Sequence, residues 1–168
     1  RFGGRIRAMV SGGAPLSGHA ILEYMHAPEL TVPYASSARE AGVVARIAHW
    51  YPADCAHRPP TEARVAYDDE AIHLHYRVDD RHIVCRSTAF QQPVYKDSCV
   101  EFFVHPAGAP GYFNFEFNAL GAMLASYVED PTRTDDGFVK YARLSANAGN
   151  RVRIAPTWNG EPGIVDPG

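Results

Sequence analysis

Residues 93–121, "PVYKDSCVEFFVHPAGAPGYFNFEFNALG", decide the fold of this chain. Apolar residues recur at every second position in "CVEFFV" and again in "YFNFEFN". This period of two is typical of β-strands, whose side chains point alternately to opposite faces of a sheet. "AGAPG" between the runs is typical of a turn. The stretch therefore predicts two neighbouring antiparallel strands, with one face formed by Val100, Phe102, Val104, Phe113, Phe115 and Phe117.

The same strands carry polar residues of the opposite parity. Glu101 lies in the first strand, and Asn114, Glu116 and Asn118 lie in the second. If the phenylalanines form the core, these side chains share the outer face, with Tyr95 at its edge. Carboxylates and amides bind hydroxyl groups, and an aromatic ring covers the C–H face of a sugar. On alternation alone an ordinary solvated outer face is the favoured interpretation, and a sugar-binding face is the alternative.

Further short strands follow from the flanking sequence. Residues 62–67 and 71–78 predict a hairpin with its turn at 68–70, and no long helix is predicted after residue 42. "EDPTRTDDG" at 129–137 predicts a polar loop. Many short strands between turn signals indicate an all-β fold, an antiparallel β-sandwich, from about residue 43. Its predicted core comprises Ile72, Leu74, Tyr76, Val100, Phe102, Val104, Phe113, Phe115 and Phe117.

Composition narrows the class of partner. The chain has 168 residues, is 46% hydrophobic and 21% charged, and carries a formal net charge of −3. These values fit one domain and argue against nucleic acid or an anionic membrane as the main partner. The sequence has no apolar run of about 18 residues that would span a bilayer. No signal peptide is visible, and because the chain starts at Arg1 and not at Met, its localisation stays open.

Metal and disulfide signals are weak. Cys55, Cys85 and Cys99 have no CxxC spacing, so we expect three unpaired thiols, with one disulfide plus a free thiol as the alternative. His73 and His75 share one strand face without a third metal ligand in view. We therefore expect no metal at this pair of histidines.

The N-terminal segment differs from the rest. "FGGRIRAMVSGGAPLSGHAILEY" reads as a strand, a Gly-rich turn and a helix. Residues 1–24 resemble a fragment of long-chain acyl-CoA synthetases, of the adenylate-forming superfamily. The phosphate loop and the catalytic lysine that the resemblance requires are missing. We therefore expect residues 1–27 to be a loosely attached fragment or linker and residues 28–168 to be the β-sandwich.

The larger part resembles another family. "RPPTEARVAYDDEAIHLHYRV", "PVYKDSCVEFFVHP" and "YFNFEFNALGAMLASY" are similar to family-9 carbohydrate-binding modules, of the DOMON-like sandwich superfamily. The resemblance covers about residues 28–150. It implies a jelly-roll type of sandwich that binds sugar without catalysis and accompanies polysaccharide-active enzymes. The family continues for further strands, so it also implies a sandwich that is truncated at its C-terminus.

The resemblance also implies the binding residues. Tyr95 matches an aromatic wall six residues before a glutamate that Glu101 matches, and Glu116 and Asn118 match a polar pair on the next strand. Trp158 is the candidate for a second wall, although its surroundings depart from the family pattern. Tyr95 replaces the usual tryptophan, and Glu116 stands where some modules have a basic residue. These departures leave the identity of the sugar open.

Cofactors and alternatives complete the predictions. We expect no cofactor, with calcium at the turn aspartates as the alternative because calcium stabilises some family-9 modules. The expected partner is a mono- or oligosaccharide, with a polysaccharide-active enzyme as a second partner. A glycoside hydrolase using Glu101 and Glu116 is the catalytic alternative, although an outer sheet face suits such chemistry poorly. A remnant of an acyl-CoA synthetase is the third class, and we expect a chain that is not an enzyme.

Overall fold

The computed structural model describes residues 8–12, 30–47, 56–134, 137–158 and 160–165. Within these residues the chain is built almost entirely of strands. The strands are β1 (Ala8–Gly12), β2 (Val43–Arg46), β3 (Thr61–Tyr67), β4 (Ile72–Val78), β5 (Ile83–Cys85), β6 (Cys99–Val104), β7 (Tyr112–Asn118), β8 (Met123–Thr134), β9 (Gly137–Arg143) and β10 (Gly163–Val165). The helical elements are α1 (Ala38–Ala41), α2 (Ala146–Gly149) and a 3₁₀ turn (Val94–Lys96).

The strands form three antiparallel sheets. The largest has the order β1-β6-β7-β8-β9, a second has the order β2-β3-β4, and β5 pairs with β10. The hydroxyl of Tyr76 on β4 donates to the backbone carbonyl of Glu101 on β6 over 3.2 Å, which joins the second sheet to the first. The prediction of an all-β antiparallel sandwich is confirmed. No helix of the described residues is long and apolar enough to cross a membrane.

The register of β6 and β7 confirms that the polar residues share one face. Glu101 lies directly opposite Glu116, and Phe102 lies opposite Phe115. Because directly paired residues point to the same side of a sheet, the two glutamates are neighbours. We call the side of the five-stranded sheet that carries Glu101, Asn114, Glu116 and Asn118 the polar face.

The prediction that the polar face is solvated is wrong. Glu101 is 2% exposed, and the other three residues of the polar face are 5–6% exposed. Of the nine predicted core residues only Phe102 is fully buried, at 3% exposure. The other eight are half-buried: Ile72, Leu74, Tyr76, Val100, Val104, Phe113, Phe115 and Phe117. Alternation sorts residues between two faces, but it does not say which face the rest of the chain covers.

The N-terminal segment is part of the sheet. Strand β1 pairs antiparallel with β6, with Val10 opposite Phe102 and Ser11 opposite Glu101. The predicted strand is therefore confirmed, whereas the expectation of a loosely attached segment is wrong for residues 8–12. The helix predicted after the Gly-rich turn lies outside the described residues. Backbone pairing explains the attachment, since β6 would otherwise present unpaired N–H and C=O groups at the edge of the sheet.

The predicted polar loop at 129–137 is also wrong for most of its length. Strand β8 continues to Thr134, and β9 begins at Gly137. Pro131 lies where the pairing of β8 with β9 shifts register, between Asp130 and Arg133. A proline cannot donate to the ladder, so it is tolerated in a strand where a bulge interrupts the pairing.

The hairpin of the small sheet forms as predicted. Strands β3 and β4 pair from Thr61–Val78 to Tyr67–Ile72. Asp68 stabilises the turn, because its Oδ1 accepts hydrogen bonds from the backbone N–H groups of Glu70 and Ala71.

Candidate functional site

Glu101 and Glu116 form a buried pair of facing carboxyl groups. Opposite residues of an antiparallel pair have Cβ atoms about 4.5–5.5 Å apart. Burial, followed by the charge of Glu116, raises the pKa of Glu101 well above its usual value. Burial likewise raises the pKa of Glu116, to about 7. The pair therefore holds protons at pH values where exposed glutamates are ionised.

Asn114 connects to this pair and leaves two acceptors free. Its Nδ2 donates to Glu116 Oε1 over 3.0 Å. Among the described residues, the buried atoms Asn114 Oδ1 and Glu116 Oε2 have no hydrogen-bond partner. Buried polar atoms are nearly always paired, so two unpaired acceptors side by side mark a place where a donor fits.

Two arginines act on the carboxyl pair electrostatically. The positive charge of Arg133 opposes the rise in the pKa of both glutamates, and that of Arg143 opposes it at Glu116. Arg143 lies opposite Ser126, which lies opposite Asn114, so Arg143 belongs to the polar face. Sequence reasoning missed both arginines because it placed Arg133 in a loop and did not predict β9.

A second polar cluster lies at the end of the polar face. Asn118 Nδ2 donates to Asp97 Oδ2 over 2.9 Å and to the carbonyl of Ser87 over 2.8 Å. Its Oδ1 accepts from the backbone N–H groups of Leu120 and Ala122. Every hydrogen-bonding position of the Asn118 side chain is thus used within the fold.

Asp97 is the carboxylate of this cluster, and the sequence analysis gave it no role. Its Oδ1 accepts from Arg86 N over 3.0 Å, and its Oδ2 accepts from Ser87 N over 2.9 Å. Burial favours the neutral acid, but the hydrogen bonds from Asn118 and the two backbone groups outweigh burial and lower the pKa of Asp97. An aspartate next to a serine before a strand is the only local signal for such an anchor, and the N–H groups that Asp97 accepts from lie 10 and 11 residues earlier in the chain.

Residues 86–98, which we call the crossing segment, cover one end of the polar face. Val94 is fully buried in a cluster with Cys99, Ala122 and Leu124. Tyr95 follows within the 3₁₀ turn, which contacts both β6 and β7, and its side chain is 40% exposed. The structure thus places Tyr95 next to the strands of the glutamates and leaves part of its ring open to solvent.

Trp158 forms no hydrogen bond or ring contact with these site residues in the described part of the chain. Its half-buried ring lies against Gly160, where an added Cβ would come within 2.3 Å of the Trp158 Cζ2 atom. Its role as a second aromatic wall stays a prediction.

Metal ligands do not converge in the described ranges. No group of three or more His, Cys, Asp or Glu side chains there is arranged to hold a metal ion. Asp68, one of the turn aspartates considered for calcium, has its Oδ2 engaged with His73 Nε2 at 2.8 Å. Cys85 and Cys99 are buried thiols that form no disulfide, as expected, and Cys55 lies outside the described residues. The calcium prediction stays untested.

Comparisons with known proteins agree with this architecture. A family model, carbohydrate-binding family 9, matches residues 38–138. The fold is similar to a crystal structure of a Bacteroides uniformis protein provisionally described as carbohydrate-binding, with a TM-score of 0.54 and 22% identity. That likeness covers 83% of this chain and 60% of the other chain, so this chain spans less than two thirds of its neighbour. The search among curated proteins found no match, and no comparison supports the resemblance of residues 1–24 to acyl-CoA synthetases.

The family match includes β6 and β7 with both glutamates and the whole crossing segment. Because it spans more than half of the sequence, and the fold has the expected antiparallel sheets, the chain belongs to carbohydrate-binding family 9.

Proposed function

We propose that this chain is a non-catalytic carbohydrate-binding module and that sugar hydroxyls are held by Glu101, Glu116 and Asn114. The observation that carries the proposal is the pair of buried acceptors without a partner, Asn114 Oδ1 and Glu116 Oε2. A buried acceptor without a donor costs about 1–3 kcal/mol, and a ligand hydroxyl recovers that cost.

The chemistry of the cluster suits a neutral diol. A protonated glutamic acid both donates and accepts, and an ionised carboxylate accepts two hydrogen bonds. Two neighbouring sugar hydroxyls can therefore donate to one carboxylate or exchange hydrogen bonds with a carboxyl pair. A ligand that reaches these atoms must displace the groups that cover them, since Glu101 is only 2% exposed.

Tyr95 is the proposed aromatic contact. Its ring is 40% exposed on the segment that crosses the polar face, and an open ring can stack on the C–H face of a pyranose. We leave Asn118 out of the proposed sugar contacts because both of its donors and its acceptor oxygen are engaged within the fold. The proposed ligand is a mono- or oligosaccharide, and the proposed second partner is a polysaccharide-active enzyme.

Glycoside hydrolysis is a second candidate function, favoured by one observation. A general acid in a glycosidase needs a raised pKa, and burial raises the pKa of Glu116 to about 7. An assay that follows release of the aryl group from a panel of aryl glycosides decides between binding and turnover. We expect no turnover above that of the Glu116→Gln variant.

Isothermal titration against a panel of mono- and disaccharides tests the binding proposal. We expect Glu101→Gln to weaken binding of the preferred sugar about two- to tenfold, because the amide nitrogen cannot accept a hydrogen bond as the hydroxyl oxygen of the protonated acid does, and a hydrogen bond between neutral groups contributes about 0.5–1.5 kcal/mol. Glu62→Gln is the matched control, because Glu62 lies on β3 and pairs with Arg64 over 3.0 Å on the other sheet.

Unchanged sugar affinity in Glu101→Gln would contradict the site. Absence of binding to every sugar by the unsubstituted chain would contradict the function itself.

A further inference from the structure

The crossing segment contains one residue with unusual backbone geometry, Gln91. Its φ is +67°, and it is the one residue other than glycine with a positive φ in the described part of the chain. Few residues other than glycine adopt this conformation without support from the surrounding structure.

Five hydrogen bonds hold Gln91 in this conformation. Its backbone N–H donates to the carbonyl of Met123 over 2.8 Å. Its side-chain Nε2 donates to the carbonyls of Ala125 and Leu144, each over 2.9 Å, and its Oε1 accepts from Ala125 N over 3.3 Å. Its own carbonyl accepts from Arg143 Nη1 over 2.8 Å. Gln91 thus bonds to β8 at the point where the pairing with β9 ends.

The other end of the crossing segment is fixed as well. Asp97 accepts from the backbone of Arg86 and Ser87 and from Asn118 on β7. Between the anchors at Gln91 and Asp97 lies the 3₁₀ turn with Tyr95. The ammonium group of Lys96 lies 5.9 Å from the centre of the Tyr95 ring, and no described residue forms a hydrogen bond with the Tyr95 side chain. The buried side chain of Val94 holds the turn against β6 and β7, and the two anchors fix the chain on either side of it, so the position of Tyr95 next to these strands depends on all three.

We infer that Gln91 is a positioning residue that holds Tyr95 in place over the polar face before a sugar arrives. The inference rests on the proposed function. A segment that is already ordered loses little conformational freedom on binding, so more of the contact energy is expressed as affinity. Gln91 makes no contact with the sugar in this arrangement and acts through Tyr95.

A double-mutant cycle tests this coupling. In Gln91→Gly the positive φ is retained, because glycine adopts it freely, and only the side-chain anchor is lost. We expect Gln91→Gly to weaken sugar binding about tenfold in the unsubstituted background. In the Tyr95→Ala background the same change should alter affinity less than about twofold, because there is no longer a ring to position.

Gln92→Ala is the matched control. Gln92 is the neighbouring residue, and its Oε1 accepts only from Thr88 N and Ala89 N inside the crossing segment. We expect its sugar affinity to match that of the unsubstituted chain. Amide hydrogen exchange on the free proteins gives a second readout: the amides of residues 94–97 should exchange about tenfold faster in Gln91→Gly than in Gln92→Ala.

Two results would overturn the inference while leaving the proposed function intact. One is a chain whose sugar binding needs Glu101 but is unaffected by Gln91→Gly. The other is that Gln91→Gly lowers sugar affinity equally in the unsubstituted chain and in Tyr95→Ala. This would show that Gln91 has a structural role that does not act through Tyr95. If the unsubstituted chain binds no sugar, the proposed function fails, and the role of Gln91 in binding fails with it.

Discussion

In two places at the polar face an asparagine of β7 donates to a carboxyl group, and the two clusters differ in how fully they are hydrogen-bonded. In the first, Asn118 donates to Asp97 over 2.9 Å and to the carbonyl of Ser87. Backbone N–H groups donate to the Asn118 side-chain oxygen and to both oxygens of Asp97. In the second, Asn114 donates to Glu116 over 3.0 Å, and one acceptor of each residue has no partner in the described part of the chain.

The pKa values of Asp97 and Glu116 shift in opposite directions although both residues are buried. Burial alone raises the pKa of both carboxyl groups, yet the pKa of Asp97 is lowered because hydrogen bonds from Asn118, Ser87 and Arg86 stabilise its charge. Glu116 has one side-chain donor, so burial prevails and its pKa rises to about 7. The comparison teaches that a satisfied cluster serves the fold, whereas an unsatisfied cluster of the same chemistry is available to a ligand.

The largest effect is expected in the satisfied cluster. Asn118→Ala removes two donors and an acceptor that joins two backbone N–H groups, and it leaves Asp97 with fewer partners. We expect the free energy of unfolding to fall by about 2–4 kcal/mol. Urea denaturation measures it, with exposed Asn147→Ala as the control, expected within about 0.5 kcal/mol of the parent. A fall as small as that of the control would show that the cluster is not an anchor.

In the unsatisfied cluster we expect a substitution to raise the free energy of unfolding and not to lower it. Glu116→Gln removes a charge that is costly to bury, so the free energy of unfolding at about pH 8 should rise on the order of 1 kcal/mol. Sugar binding should weaken at the same time, as expected for a residue kept for function. Urea denaturation and titration on one sample measure both, and a variant that is less stable yet binds normally would contradict the assignment.

The pH dependence of stability separates the clusters without a large structural change. The raised pKa of Glu116 contributes stability that is fully present below its usual value near 4.5 and is lost as pH rises through about 7. The lowered pKa of Asp97 contributes stability that is present above 3.8 and is lost as pH falls through its folded value. We expect the melting temperature of Glu116→Gln to depend less on pH near pH 7 than that of the parent. We expect the melting temperature of Asp97→Asn to depend less on pH below about 3.8. Identical profiles for the two variants would refute this separation.

The smallest effect on stability is expected at Tyr95. Its ring is 40% exposed, so Tyr95→Ala should change the free energy of unfolding by less than about 0.5 kcal/mol. Sugar affinity should nevertheless fall about three- to tenfold through loss of the stacking contact. Titration of the variant against the preferred sugar checks this, and Tyr141→Ala on β9, at 37% exposure, is the control. Equal loss of affinity in the two variants would remove Tyr95 from the site.

The sequence predicted what depends on local alternation. The pairing of the glutamates follows from the period of two in β6 and β7, and the hairpin of β3 and β4 follows from the same period and its Asp-rich turn. The prediction failed where burial was concerned. Phe115 is half-buried and Glu116 is buried because coverage of a face depends on segments far away in sequence.

Two further parts of the site could not be predicted from local pattern. Pro131 and the charged residues around it resemble a loop, and only the irregular pairing of β8 with β9 lets them form a strand. The hydrogen bonds of Gln91 reach Ala125 and Leu144, so nothing in "STAFQQPVY" reveals them. Contacts between residues this distant require the assembled sheet.

The pairing of β1 with β6 has a consequence for folding. Residues 8–12 join residues about 90 positions later, and closing a loop of this length costs about 4 kcal/mol of chain entropy. The meander of β6 to β9 has short connections and should therefore form first, with β1 docking last. Until β1 arrives, β6 is an open edge that another nascent chain could join. Glu101, near the middle of that edge, would leave a carboxylate inside any such contact, so the residue proposed to hold a sugar also discourages aggregation during folding.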